Sequence, residues 1–173
     1  MEELKTIIEA LILASDVPLS TEKIVEVLQT EDRDKVKGLL VELIHEHEMR
    51  QGGFLLQEVA GGYQFRTRAD LAPWIKRLKG GKSSVMTPAA METLAIVAYK
   101  QPVVKAEVDK IRGVDVGGSL KTLLEKKLIR ILGRKDVPGR PMLYGTTKKF
   151  LEIFNLKDLS ELPTMQEVKD LQE

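Results

Sequence analysis

The chain has 173 residues, enough for one large domain or two small ones; 43% are apolar but only 5% aromatic, so aliphatic side chains must fill any core. A net charge of +1 excludes a molecule drawn as a whole to nucleic acid or to an anionic membrane. The absence of cysteine excludes disulfides and thiolate metal sites, and no apolar run approaches the ~18 residues of a membrane span.

The opening MEELKTIIEALILASD carries acidic residues where a secretory signal needs basic ones. It predicts a first helix of the fold, and a soluble cytoplasmic protein. Leu4, Ile7, Ile8, Leu11 and Ala14 follow helical spacing, and Pro18 ends the run. Ser20 is placed to cap a second helix, TEKIVEVLQ. A third, from about Asp34 to Arg50, keeps Val36, Leu39, Leu40, Leu43, Ile44 and His47 on one face. The period then changes to two. FLLQEV and YQFRT flank Ala60-Gly61-Gly62, where a Gly-Gly pair suits the positive φ angles of a tight hairpin. A short helix near Asp70–Lys79 follows, and KGGKSSVM has the composition of a linker.

The same order then repeats. Thr87-Pro88 is a helix start, and the helix through METLAIVAYK stops at Gln101-Pro102 because Pro102 lacks a donor. VKAEVDKIRG predicts a second helix ending at Gly113, and SLKTLLEKKL a third with Leu120, Leu123, Leu124 and Leu128 inward. IRILGR and MLYGTT flank a basic turn displaying Arg134, Lys135, Arg140 and nearby Lys148, and KKFLEIFNL predicts a last helix. Three short helices and a hairpin, twice over, predict a mainly α, α+β fold of two tandem winged-helix domains. The boundaries read as 1–79, a linker at 80–86, 87–163, and an acidic tail at 164–173. The same periodicity also accommodates a helical bundle with decorating hairpins.

Catalytic motifs are absent or incomplete. His45 and His47 lie two residues apart on a helix, about 160° from each other, and cannot chelate one ion together. GGKS at Gly80–Ser83 lacks the earlier glycine of a phosphate loop, since Lys76 stands there. Ser20-x-x-Lys23 has no companion acylase motif, and a helix cap explains Ser20 better. These features predict no enzyme, no catalytic residue, no metal, no cofactor and no small-molecule substrate.

Residues 99–149 carry thirteen Lys/Arg against five Asp/Glu, so the question of DNA must be put to the third helices. In the second domain their outward residues read as Ser119, Thr122, Glu125 and Lys126, with no bidentate base reader. In the first they read as Val41, Glu42, His45, Glu48 and Met49, a face that suits protein rather than DNA. Val41, His45 and Met49 form a stripe opposite the buried one, and Leu13 stands opposite the core stripe of the first helix. These four are the candidate dimer interface; scattered surface exposure is the alternative. The basic hairpin fits either phosphate contacts without sequence preference or a salt-bridged wing beside a peptide groove.

METLAIVAYKQPVVKAEVDKIRGVD with LKTLLEKKLIRILGRKDVPGRPMLYGTTKKFLEIFNL closely resembles the segregation and condensation protein B (ScpB) family, as does the first half from ELKTIIEALILASDVPLS through GGFLLQEVAGGYQFRTR. The resemblance spans roughly residues 3–163. It implies a non-catalytic tandem winged-helix subunit of the bacterial SMC complex, acting in chromosome condensation and partition and associated with the nucleoid. It implies a homodimer formed mainly through the N-terminal domain, binding to the kleisin ScpA, and contact with the SMC ATPase through that kleisin. No sequence-specific DNA and no membrane partner are expected; a winged-helix DNA-binding regulator is the other reading. The kleisin surface is expected on the second domain at Tyr99, Lys100, Gln101, Arg134, Arg140 and Tyr144. The alternative is that both tyrosines pack at the core edge and the arginines pair with Asp136 or Glu125.

Overall fold

The computed structural model describes residues 2–80, 86–164 and 167. The expected linker lies outside the described residues except for Gly80 and Met86, as do the end of the GGKS fragment and most of the acidic tail. The chain divides into two compact units, Met1–Ser83 and Ser84–Glu173.

In the first unit, α1 (Glu2–Ala14), α2 (Thr21–Leu28) and α3 (Arg33–Met49) precede the hairpin β1 (Phe54–Val59) and β2 (Gly62–Thr67). A 3₁₀ turn at Ala69–Leu71 leads into α4 (Ala72–Leu78). The Ser20 hydroxyl caps α2 by accepting from the Lys23 N–H, and Asp32 caps α3 through the Lys35 N–H. Ile8, Ile12, Ile24, Val36, Leu39, Leu40, Leu43 and Leu56 form the buried core. Each fully buried side chain of this kind contributes about 1.5–3 kcal/mol. The buried row of α1 differs from the expected stripe: Ile8 and Ile12 are buried with Leu4 against them, while Ile7 and Ala14 are exposed. Here α1 meets its neighbours along its four-residue row.

The first hairpin turn also differs from expectation. Val59 pairs with Gly62, so the two turn residues are Ala60 and Gly61, both at positive φ. Gly62 is required for another reason. A Cβ there would stand 2.8 Å from the Pro18 carbonyl carbon and 2.9 Å from that of Leu19, because Leu19 bridges Tyr63 beside it.

In the second unit, α5 (Pro88–Lys100), β3 (Val103–Val104), α6 (Lys105–Arg112) and α7 (Gly117–Glu125) precede β4 (Ile129–Arg134), β5 (Met142–Thr146) and α8 (Lys148–Phe154), with a last 3₁₀ turn at Leu159–Glu161. The strands form one antiparallel sheet in the order β3-β5-β4. Thr87 caps α5, Gly113 ends α6 in the left-handed region, and Thr147 caps α8. The strand β3 falls where sequence spacing predicts the start of a helix. α7 stops three residues before Leu128 because Lys127 takes a positive φ; the Leu128 N–H then returns to the Leu123 carbonyl at 3.0 Å, and Leu128 is buried.

Both units therefore run helix, extended bridge or strand, helix, helix, hairpin, helix. In the first, the Leu19–Tyr63 bridge stands where the second has β3 paired to β5 through Val103–Tyr144. This is the winged-helix arrangement in an α+β protein.

Candidate binding surfaces

The first unit exposes apolar side chains that its core does not use. On α3, Val41 is 64% and Met49 71% exposed, and exposed His45 lies between them at four-residue spacing. Leu13 on α1 is 71% exposed. His47, two residues from His45, is buried: its Nε2 lies 2.9 Å from Glu9 Oε1 and its ring packs on Phe54 and Phe65. Lys5 Nζ reaches Glu46 at 2.5 Å and so fixes α1 against α3. Sequence spacing missed a second apolar feature, Trp74 and Leu78 on α4, which are 61% and 84% exposed. Its signal in the sequence was the i, i+4 pair of large apolar residues on a short helix.

In the second unit the sequence-predicted residues separate. Tyr144 is only 9% exposed and belongs to the core, so its expected place in a partner-facing surface is corrected; its position in β5, opposite Val103 and Ile131, turns the ring inward. Gln101 is likewise a tie within the fold. Its amide donates to the Ala98 carbonyl and to Thr146 Oγ1, each at 3.0 Å, and its carbonyl accepts from the Thr146 N–H at 2.8 Å. Tyr99 remains exposed on α5, although its hydroxyl donates to the Pro163 carbonyl at 2.6 Å. It also borders a small cavity of about 160 Å³ with Met91, Leu94, Phe150, Phe154 and Leu162.

Lys100 lies at the end of α5 beside an open depression of about 510 Å³ that is also lined by Val103, Glu107, Lys110 and Ile111. Glu107 links this depression to the wing, since Lys135 Nζ binds Glu107 Oε1 at 2.7 Å. The bond from Lys135 and the N–H of Val104 hold the Glu107 carboxyl below the usual range. At the wing itself, Arg134 donates to the Arg140 carbonyl at 3.0 Å, a bond to backbone rather than the pairing with Asp136 or Glu125 that the alternative reading held. Arg134 and Arg140 are both exposed, and Arg140 takes a positive φ after Gly139.

The loop between α6 and α7 is tied by Lys105, which binds Asp109 at 2.7 Å and also Asp115. Hydrogen bonding to Asp109, then to Asp115, raises the Lys105 pKa; the same bonds lower both carboxyls, helped by the Val116 and Gly117 N–H groups. These charges are consumed in holding the loop. Among the described residues no group of three or more His, Asp or Glu is placed to hold a metal ion, and no helix is long and apolar enough to cross a membrane.

The fold and these faces define a tandem winged-helix protein whose distinctive chemistry lies on its outer surfaces. Residues 6–165 match the family described as segregation and condensation complex subunit ScpB, and the chain belongs to that family. It is 49% identical to segregation and condensation protein B of Syntrophotalea carbinolica, over 98% of this chain and 85% of that protein. It is 48% identical to the protein of that name from Symbiobacterium thermophilum, over 94% of this chain and 74% of the other. A solved structure described as a dimer of the ScpB N-terminal domain complexed with ScpA peptide is 31% identical, covering 44% of this chain and 95% of its own, with a TM-score of 0.41.

Proposed function

We propose that this chain is a non-catalytic subunit of a condensin-like SMC complex, which pairs with a second copy of itself and binds a kleisin of the ScpA type. Through the kleisin it reaches the SMC ATPase and supports chromosome condensation and partition during cell division. The observation that carries this reading is family membership over residues 6–165, nearly the whole chain. Exposed Leu13, Val41, His45 and Met49 support the first unit as the dimer-forming one. Tyr99, Lys100, Arg134 and Arg140 support a kleisin contact on the second, beside the depression that Glu107 links to the wing.

The reading of the protein as a sequence-specific DNA-binding regulator finds little support on α7. Its outer side chains include Thr122, whose hydroxyl bonds the Gly118 carbonyl of its own helix, and Lys121, which stands 4.0 Å from Glu125. The test is co-expression with a candidate kleisin and affinity capture through a tag on the kleisin. Retention of this chain through a wash at high salt is the expected result. Its complete loss to the flow-through would overturn the reading.

A further inference from the structure

Two basic segments meet at the base of the second hairpin, at the opposite end from the wing tip. The ladder sets Ile129 opposite Thr146 and Arg130 opposite Gly145. The Thr147 N–H then donates to the Leu128 carbonyl at 3.1 Å and its hydroxyl to the Lys127 carbonyl at 2.6 Å. These bonds bring Lys126, Lys127 and Arg130 beside Lys148 and Lys149, and all five are exposed. Lys149 pairs with Glu152. Among the described residues, Lys127, Arg130 and Lys148 have no carboxylate partner.

We infer that this basic edge is a contact surface for the phosphate backbone of duplex DNA, read without sequence preference. Three observations favour that occupant. The edge offers several adjacent cations, which is what counterion release from a duplex rewards. It offers no apolar anchor among the cations themselves: within residues 125–130 and 145–149 the large apolar side chains are Leu128 and Ile129, both buried, and the exposed Ile131 and Leu132 stand farther along β4 toward the wing. An acidic peptide or a lipid surface would draw on such anchors. The edge is also distinct from the wing tip, where Lys135 is paired with Glu107 and Asp136 adds a negative charge. Phosphate contacts position a protein on DNA and carry no sequence information, which agrees with the missing base readers on α7.

The inference goes beyond the proposed kleisin role, and its failure would leave kleisin capture untouched, because capture is read without DNA. The test is fluorescence anisotropy of the full chain with two labelled duplexes of unrelated sequence, starting near 50 mM salt. Both duplexes should bind with similar affinity. The triple variant Lys127→Glu/Arg130→Glu/Lys148→Glu should bind at least about 30-fold more weakly, and Arg134→Glu/Arg140→Glu should stay within about threefold of the parent. If the triple reversal perturbs the circular dichroism spectrum, the milder Lys127→Gln/Arg130→Gln/Lys148→Gln variant decides. It should flatten the plot of log affinity against log salt by about three units. No binding by the parent at low salt would overturn the inference, as would equal loss in the wing-tip variant. Equal affinity for labelled polyglutamate would reassign the edge to an acidic protein, and equal affinity for phosphatidylserine vesicles would reassign it to a membrane.

Discussion

The two units use one architecture and finish it differently. In the first, the strand before the second helix is reduced to the single bridge of Leu19 to Tyr63, and backbone passes so close to Gly62 that no Cβ fits. In the second, β3 completes a three-stranded sheet, and the tight glycine, Gly145, faces the side chains of Leu132 and Gln101 instead. The outer surfaces diverge as well. The first unit exposes Leu13, Val41, Met49, Trp74 and Leu78, while the second exposes Lys127, Arg130, Arg140 and Lys148. Both units expose apolar side chains, the second at Ile111, Val114, Ile131 and Ile153 among others; what the second adds is a cluster of exposed cations at the base of its hairpin, Lys127, Arg130 and Lys148. Fold alone would not have separated their roles.

The glycine pair offers the sharpest way to break this comparison. Gly62→Ala should destabilise the first unit by about 3 kcal/mol or more, because backbone rather than a side chain must move. Gly145→Ala should cost less, about 2 kcal/mol, since side chains rather than backbone must move: Leu132 changes rotamer and Gln101 shifts the oxygen that Thr146 bonds. Urea unfolding followed by circular dichroism measures both, and equal costs would remove the distinction. Gln101→Ala should cost about 2 kcal/mol by the same measurement, because it strips partners from Thr146, which is buried.

The apolar face is tested by Val41→Glu and Met49→Glu in the full chain. Each should weaken self-association by about 30-fold, the equivalent of about 2 kcal/mol, and leave the unfolding midpoint nearly unchanged. Sedimentation at a series of concentrations reads this, and unaltered association in both variants would move the interface to another face, with Trp74 and Leu78 next to be examined.

The smallest effect concerns acid. Folding lowers the pKa of Asp109 and Asp115, first through Lys105 and then through backbone N–H groups. The stability they contribute is therefore complete above the ordinary aspartate range and is lost as pH falls through the lower folded values. Lys105→Met should make unfolding of the second unit less dependent on pH below about 4. An identical acid profile in the variant would show that this network does not couple to stability.

Much of the scaffold was legible because it is local. Helical spacing marked α3 and α7, and Ser20, Thr87 and Gly113 act as the caps their residue types suggest. The parts that were not legible depend on distant partners. A two-residue strand such as Val103–Val104 has no period of its own, and the need for Gly62 arises from Pro18 and Leu19 more than forty residues earlier. Tyr144 and Tyr99 look alike in sequence, yet the register of β5, with its irregularity between Ile131 and Gly133, turns one inward while α5 leaves the other exposed. Exposure of Val41 and Met49 followed from helical spacing; the Trp74–Leu78 pair was missed because α4 is short and its inner face is weakly marked.

The most direct test is the mass of the full chain, alone and mixed with a purified ScpA-type kleisin, by size-exclusion chromatography with light scattering. A dimer alone, and a single heavier peak containing the kleisin with at least two copies of this chain, is the expected result. A monomer that elutes separately from the kleisin would contradict both the pairing and the assembly role.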